Sequence, residues 1–166
     1  IKDIAKNIIK DNKNINVENF KNCYEELKKF SLKASMALIK DDLKKLGIEH
    51  DNFFSESELV KKNLVNITVK ELQNRNFVEE GYLDPPKGEI PKNWKKVKRL
   101  IFKSTKFGDE ADRALQKNDG TWTYFANDVA YHSDKISRKF DNLINILGAD
   151  HTGYIKRITA AVSALS

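Results

Sequence analysis

The chain has 166 residues, of which 40% are hydrophobic and 33% are charged, with a formal net charge of +6. This length and composition fit one globular domain, or part of a larger one, and exclude a disordered chain. No apolar run approaches the ~20 residues that cross a bilayer, so we expect no membrane partner. The single cysteine, Cys23, excludes a disulfide framework and a thiolate metal site, and it favours a reducing, cytoplasmic location.

The N-terminal part has the periodicity of amphipathic helices. Apolar residues recur at helical spacing over residues 1–11 and again over 18–46, which predicts two helices. The Asn-rich stretch 12–16 predicts a break between them. Gly47 is well suited to end the second helix because glycine readily adopts the left-handed conformation of a helix C-terminus.

Short strands and helices are predicted in the middle of the chain. Strands are predicted over 48–54 and 77–83 because both runs contain aromatic and β-branched residues. Segments 55–58 and 68–71 each have the Ser/Thr-x-x-Glu pattern of a capping box, which predicts two helix starts. The Pro-rich stretch 84–91 predicts a loop.

From residue 99 onward the composition changes. Residues 100–107 predict a buried strand, and Asn-Asp-Gly at 118–120 predicts a β-hairpin with a type I′ turn. A helix is predicted over 126–140, capped by Asn127 or Asp128.

The C-terminal stretch has the pattern of one βα unit. Residues 143–147 predict a short buried strand, Gly148 breaks it, and 152–165 predict a closing helix. Strand, glycine and helix in this order are typical of a nucleotide-binding sheet. The pattern therefore indicates an α/β fold.

Three polar residues lie at helical spacing in the first candidate site. Tyr124, Asp128 and His132 would project from one side of a helix, with tyrosine as an aromatic wall and aspartate as a bidentate acceptor for a guanidinium or ammonium group. The alternative is structural: Tyr124 in the core, Asp128 as a helix cap and His132 on the helix surface. Spacing alone favours the structural interpretation.

The second candidate site follows the predicted C-terminal strand. Asp150 and His151 lie between that strand and a helix N-terminus, where ligands collect in open α/β sheets and free backbone N–H groups attract anions. Gly148 and Gly153 would let a ligand approach the backbone. The alternative is an ordinary turn. Glu56 follows a predicted strand. Considered alone, it is most simply an acidic residue in the first turn of the next helix, where it interacts favourably with the helix dipole.

The sequence is also compatible with two other functions. Asp128, His132, Asp150 and His151 could hold a divalent ion in a metal-dependent phosphohydrolase. The positive net charge could instead belong to a basic, helical RNA-binding module, although the lysines alternate with acids as on ordinary solvated helix faces.

The stretch FKSTKFGDEADRALQKNDGTWTYFANDVAYHSDK, followed by LINILGADHTGYIKRI, resembles bacterial arginyl-tRNA synthetases. FFSESELV and YLDPPKGEIPKNW also resemble that family, so the resemblance runs from about Leu43 to the end. It implies a class I enzyme that activates arginine with ATP, with Mg²⁺ as the expected companion of ATP, and transfers it to its tRNA. It also implies a cytoplasmic and monomeric parent protein.

The resemblance implies roles for individual residues. Tyr124 and Asp128 match the family's residues that recognise the arginine guanidinium, and Glu56 matches an acidic residue facing the same group. Asp150 and His151 match positions at which the family contacts the amino acid and ATP. The resemblance implies that His151 contacts the arginine and that Asp150 faces the adenylate. The remaining adenylate-facing residues of this loop are Gly148, Gly153 and Tyr154.

The sequence departs from the family in lacking its HIGH and KMSKS motifs. The resemblance therefore implies that no catalytic or metal-binding residue lies in this stretch, and we expect the chain by itself to be inactive. The chain begins with Ile1, and its only methionine is Met36, so we expect a piece of a longer protein.

The resemblance also implies a division of the chain. We expect a helical segment over 1–46 and an insertion of short strands and helices over 47–98. The stretch 99–166 is expected to be the second part of a Rossmann-type catalytic core.

Overall fold

The computed structural model describes residues 2–12, 15, 18, 20–85 and 95–166. They form two compact units, Ile1–Phe53 and Phe54–Ser166. The loop predicted at 84–91 lies almost wholly outside the described residues, as does most of the break predicted at 12–16. The domain boundaries expected after residues 46 and 98 stay predictions. In the described part of the chain, no helix is long and apolar enough to cross a membrane.

The first unit contains the two predicted helices, α1 (Lys2–Asp11) and α2 (Phe20–Lys45). Their contact buries Ile8, Ile15 and Cys23, against which Leu27 and Phe30 pack. Ile8 and Cys23 face one another because each helix has one apolar stripe, and Ile15, in the segment between the helices, joins the same cluster.

Gly47 ends α2 as predicted. Its φ is 72°, and its amide donates to the carbonyl of Lys44 at 2.9 Å. The amide of Ile48 donates to the carbonyl of Leu43, also at 2.9 Å. Together these bonds form a Schellman motif, which satisfies carbonyls that the helix end leaves without partners.

The second unit combines four helices with a small sheet. Its helices are α3 (Glu56–Lys61), α4 (Leu64–Asn74), α5 (Tyr124–Ser137) and α6 (Thr152–Leu165). Its strands are β1 (Val78–Gly81), β2 (Arg99–Phe102) and β3 (Arg113–Ala114), in the order β1-β2-β3 and antiparallel throughout. The fold is thus mixed helix and sheet, and the described residues do not confirm the Rossmann-type core that we expected.

Phe102, at the end of the central strand β2, is fully buried in the main core. Val78 of β1 is its partner in the sheet, and the rings of Phe107 and Phe125 lie 5.9 and 6.1 Å from its ring centroid. Leu115, just after β3, is also fully buried. The sheet and the start of α5 therefore share one hydrophobic core, which fixes where the candidate site begins.

Two strand predictions were wrong. Residues 48–54 and 143–147 have no strand structure. In the second segment Ile144 is 85% exposed and Ile146 is 93% exposed. A strand needs a neighbouring strand to pair with, and no other described segment pairs with either run. Apolar alternation alone could not reveal the missing partner.

The first capping-box prediction was right about Ser55 as the N-cap and wrong about the capping bond, and the second prediction was wrong. Ser55 does precede α3, but its hydroxyl contacts Ser57 Oγ at 2.8 Å rather than a backbone amide. Thr68 lies inside α4 and is only 3% exposed, so it does not begin a helix.

The predicted hairpin is present, with a different turn. Gln116 and Trp122 pair across it, and the amide of Gly120 donates to the carbonyl of Lys117 at 3.1 Å. The two central residues of this turn are Asn118 and Asp119, and neither has a positive φ. The φ of Gly120, which follows them, is 80°. A type I′ turn requires positive φ at both central residues, so the turn is not of that type.

A buried ion pair holds the loop between β2 and β3. Both carboxylate oxygens of Asp109 accept hydrogen bonds from Arg113, each at 2.7 Å, and the side chain of Asp109 is only 2% exposed. The Arg113 guanidinium, assisted by the amide of Glu110, outweighs the burial and lowers the pKa of Asp109 to about 2. The loop therefore depends on an ionised Asp109.

We predict that Asp109→Asn destabilises the chain at neutral pH by about 2 kcal/mol, because the pKa shift from 3.8 to about 2 corresponds to roughly that free energy. A lowered carboxylate pKa stabilises the fold above pH ~4, and this contribution is lost as the pH falls towards 2. Urea unfolding followed by circular dichroism at several pH values measures both effects.

Glu110→Gln is the matched control. Its carboxylate pairs with Lys156 at 2.8 Å, but both side chains are more than 60% exposed, so the loss of stability should be much smaller than for Asp109→Asn. Equal destabilisation by the two substitutions would contradict the assigned role of Asp109.

Candidate functional site

Helix α5 begins at Tyr124, and Thr123 is its N-cap. The Thr123 side chain accepts a hydrogen bond from the amide of Ala126 at 3.2 Å. The sequence-based assignment of the cap to Asn127 or Asp128 was therefore wrong. Because a threonine satisfies the helix start, the carboxylate of Asp128 is available for other contacts.

Asp128 is joined to helix α6 through Tyr154. The Tyr154 hydroxyl donates a short hydrogen bond to Asp128 Oδ2. Burial, followed by this bond to a carboxylate, raises the pKa of Tyr154 well above its usual value of 10. The hydroxyl therefore stays protonated at neutral pH and donates to the carboxylate. In the described part of the chain, Asp128 Oδ1 has no hydrogen-bond partner.

A cavity of about 350 Å³ lies beside this pair. Helix α5, the exposed 144–147 segment and helix α6 form its walls. Its polar and aromatic lining residues are Asp128, Tyr131, His132, Lys135, Asn145, His151 and Tyr154, and its apolar ones are Ile144, Ile146, Leu147 and Ile158. A half-buried carboxylate and aromatic walls suit a cation that carries hydrogen-bond donors.

Tyr131 supplies an aromatic wall that the sequence analysis did not identify. Its ring stacks on Phe54 with centroids 4.7 Å apart, and Lys135 Nζ lies 4.5 Å from its centroid. Tyr131 lies three residues after Asp128, which is the spacing that could have revealed it.

Tyr124 lies outside the cavity. It is 79% exposed, and Lys117 Nζ lies 5.8 Å from its ring centroid. Tyr124 is therefore not a core residue, and the structure does not bring it together with His151 or Tyr154.

Glu56 reaches α5 next to Asp128. Its Oε1 accepts a hydrogen bond from Asn127 Nδ2 at 2.8 Å, across 71 residues of sequence. The side chain remains exposed, so a ligand held at the start of α5 could contact it.

His132 is buried rather than on the helix surface. It is 7% exposed, and its Nδ1 lies 2.8 Å from the main-chain oxygen of Asp128. Lys135, one turn further, donates to Asn145 Oδ1 at 2.8 Å. Burial and then the charge of Arg138 lower the pKa of Lys135, while Asp128 offsets part of this shift.

The loop before α6 forms a short 3₁₀ turn, Ala149–His151, with Gly148 before it. Asp150 and His151 are exposed, with 3.7 Å between Asp150 Oδ2 and His151 Nε2. A Cβ on Gly148 would lie 2.5 Å from Asp150 Oδ1, so glycine is what allows that carboxylate to fold back. Gly153 lies in the exposed first turn of α6. Only His151 of these residues lines the cavity.

No group of three His, Cys, Asp or Glu side chains within the described ranges could hold a metal ion. Asp128 is engaged by Tyr154, and His132 Nδ1 by a main-chain carbonyl. The proposed metal set of Asp128, His132, Asp150 and His151 is thus not assembled.

Comparisons with known proteins point to one family. The chain is 53% identical over 163 residues to an arginine–tRNA ligase of Pelagibacter ubique, covering 98% of this chain and 28% of that relative. It is 58% identical over 136 residues to an arginine–tRNA ligase of Ehrlichia chaffeensis, covering 82% of this chain and 24% of that relative. No protein-family model matches the chain.

A solved structure agrees with the sequence relatives. The fold matches a crystal structure of an arginyl-tRNA synthetase from Campylobacter jejuni with a TM-score of 0.76 and 31% sequence identity. The match covers 98% of this chain and 32% of that one. The relatives support neither the phosphohydrolase nor the RNA-binding module. By sequence and by fold, the chain belongs to the arginine–tRNA ligase family, and it spans about a quarter of the length of the curated relatives it matches.

Proposed function

We propose that this chain is the arginine-holding part of an arginine–tRNA ligase, which activates arginine with ATP and transfers it to its tRNA. The observation that carries the proposal is the half-buried carboxylate of Asp128 beside a 350 Å³ cavity, in a stretch about half identical to named arginine–tRNA ligases. Binding of L-arginine to the chain, measured by calorimetry, tests it.

The chemistry follows from the carboxylate. A guanidinium presents parallel N–H groups that match a carboxylate, and the bond gains strength where water is excluded. Tyr154 donates to Oδ2 and fixes the orientation of the carboxylate, so that Oδ1 faces no competing donor of the described chain. Tyr131 contributes an aromatic wall to the same cavity.

Tyr124 and Glu56 are proposed as additional arginine contacts. Tyr124 lies one helical turn before Asp128, and Glu56 reaches α5 through Asn127. Both are exposed, so they would cover the guanidinium from the solvent side.

The ATP side is proposed to use Gly148, Asp150 and Gly153, with His151 between the two substrates. Their position in the turn before α6 supports this, since a helix N-terminus favours anionic groups. We propose that the whole protein is a class I enzyme with a Rossmann-type core, and that ATP binds to it together with Mg²⁺. We propose further that the whole protein is cytoplasmic and monomeric.

We predict that Asp128→Asn weakens L-arginine binding by about 10- to 100-fold. The substitution keeps an acceptor for Tyr154 but removes the charge, and a hydrogen bond to a charged group is worth about 1.5–3 kcal/mol. Calorimetric titration of the wild-type and variant chains with L-arginine measures the loss.

Asp141→Asn is the control, because it removes the same charge from an exposed residue outside the cavity lining. Unchanged arginine affinity in Asp128→Asn, or an equal loss in Asp141→Asn, would exclude the guanidinium role of Asp128.

We predict that Tyr154→Phe weakens arginine binding by about 3- to 10-fold, because Asp128 loses the donor that orients it.

The raised pKa of Tyr154 also predicts a spectroscopic result. Wild-type and variant chains should gain the same tyrosinate absorbance between pH ~9 and ~10.5, since Tyr154 does not ionise in that range. A smaller gain in the variant would show that Tyr154 titrates normally.

A further inference from the structure

The tautomer of His132 is fixed by its own helix. Its Nδ1 lies 2.8 Å from the main-chain oxygen of Asp128, one turn earlier. A carbonyl oxygen only accepts hydrogen bonds, so in the neutral imidazole Nδ1 carries the proton and donates it. Nε2 is therefore an acceptor with a free lone pair.

That acceptor has no partner in the described part of the chain. His132 is 7% exposed, and Nε2 is buried without a hydrogen bond. Leaving a buried acceptor unpaired costs free energy, so such an atom calls for an explanation. The explanation favoured by its surroundings is a ligand, since His132 lines the same cavity as Asp128.

The two residues together define what the ligand must offer. Asp128 Oδ1 and His132 Nε2 are both acceptors without a hydrogen-bond partner in the described part of the chain, so the ligand must offer hydrogen-bond donors. A guanidinium has five N–H donors in a plane and no acceptor. Its donors can therefore be shared between a carboxylate and an imidazole that line the same cavity.

We propose that His132 is a further substrate-contacting residue, whose Nε2 accepts a hydrogen bond from the guanidinium held by Asp128. This inference rests on the proposed function. Nε2 is buried in the structure, so the proposed contact requires the side chains around it to move when the guanidinium binds. The contact would favour arginine over citrulline, in which an oxygen acceptor replaces one of the nitrogen donors.

Two substitutions separate the nitrogens of the ring. Asn reproduces the donor at the Nδ1 position and removes the Nε2 acceptor, whereas Gln places an amide oxygen near the Nε2 position. We expect His132→Asn to weaken L-arginine binding by the 166-residue chain by about tenfold and to reduce its preference over citrulline. We expect His132→Gln to stay within about threefold of the wild-type affinity.

Nitrogen NMR measures the chemical shift of Nε2, which should not change on arginine binding if His132 has only a structural role. In chain labelled with ¹⁵N-histidine, saturation with L-arginine should shift the Nε2 resonance of His132, assigned by its loss in the two variants. If His132→Asn does not fold, the wild-type shift and the Gln variant still decide the question.

The outcomes distinguish the two proposals. Arginine binding with an unmoved Nε2 resonance, or with equal affinity in the Asn variant, would overturn the role of His132 and leave the arginine site intact. Absence of arginine binding by the wild-type chain would overturn the proposed function, and the role of His132 with it.

Discussion

The burial of Phe102 is the constraint on which the site depends. This ring closes the core between the short sheet and α5, where it contacts Phe107 and Phe125. Because Phe125 is the second residue of α5, its burial fixes the rotation of the helix about its axis. Residues one turn apart on the next face, Asp128 and His132, are thereby directed towards α6 and the cavity.

Electrostatics then decides what the cavity accepts. The chain is basic, yet the cavity is lined by a carboxylate and by a histidine whose Nε2 has no partner in the described part of the chain. The Tyr154 hydroxyl joins α6 to that carboxylate and stays protonated because it is buried against the negative charge. A local acceptor site in a positively charged chain selects a cation by short-range hydrogen bonds rather than by net charge.

Local rules succeeded where one segment contained all the partners. The helix over α2 and its stop at Gly47 follow from periodicity and from one left-handed residue, and both are present. They failed where a neighbouring residue took the predicted role and where a partner had to come from elsewhere. Thr123, not Asn127 or Asp128, caps α5, and the apolar run 143–147 has no strand to pair with among the described residues.

The sequence by itself determined the family, the main helices, and the presence of Asp128 and His132 one turn apart. It could not determine which oxygen or nitrogen of these groups is free, because that depends on partners outside the helix or on main-chain geometry. Only the tertiary structure brings Tyr154, 26 residues away, onto Asp128 and leaves Tyr124 exposed. Helical spacing sets the side on which a residue lies, whereas packing between helices sets what it contacts there.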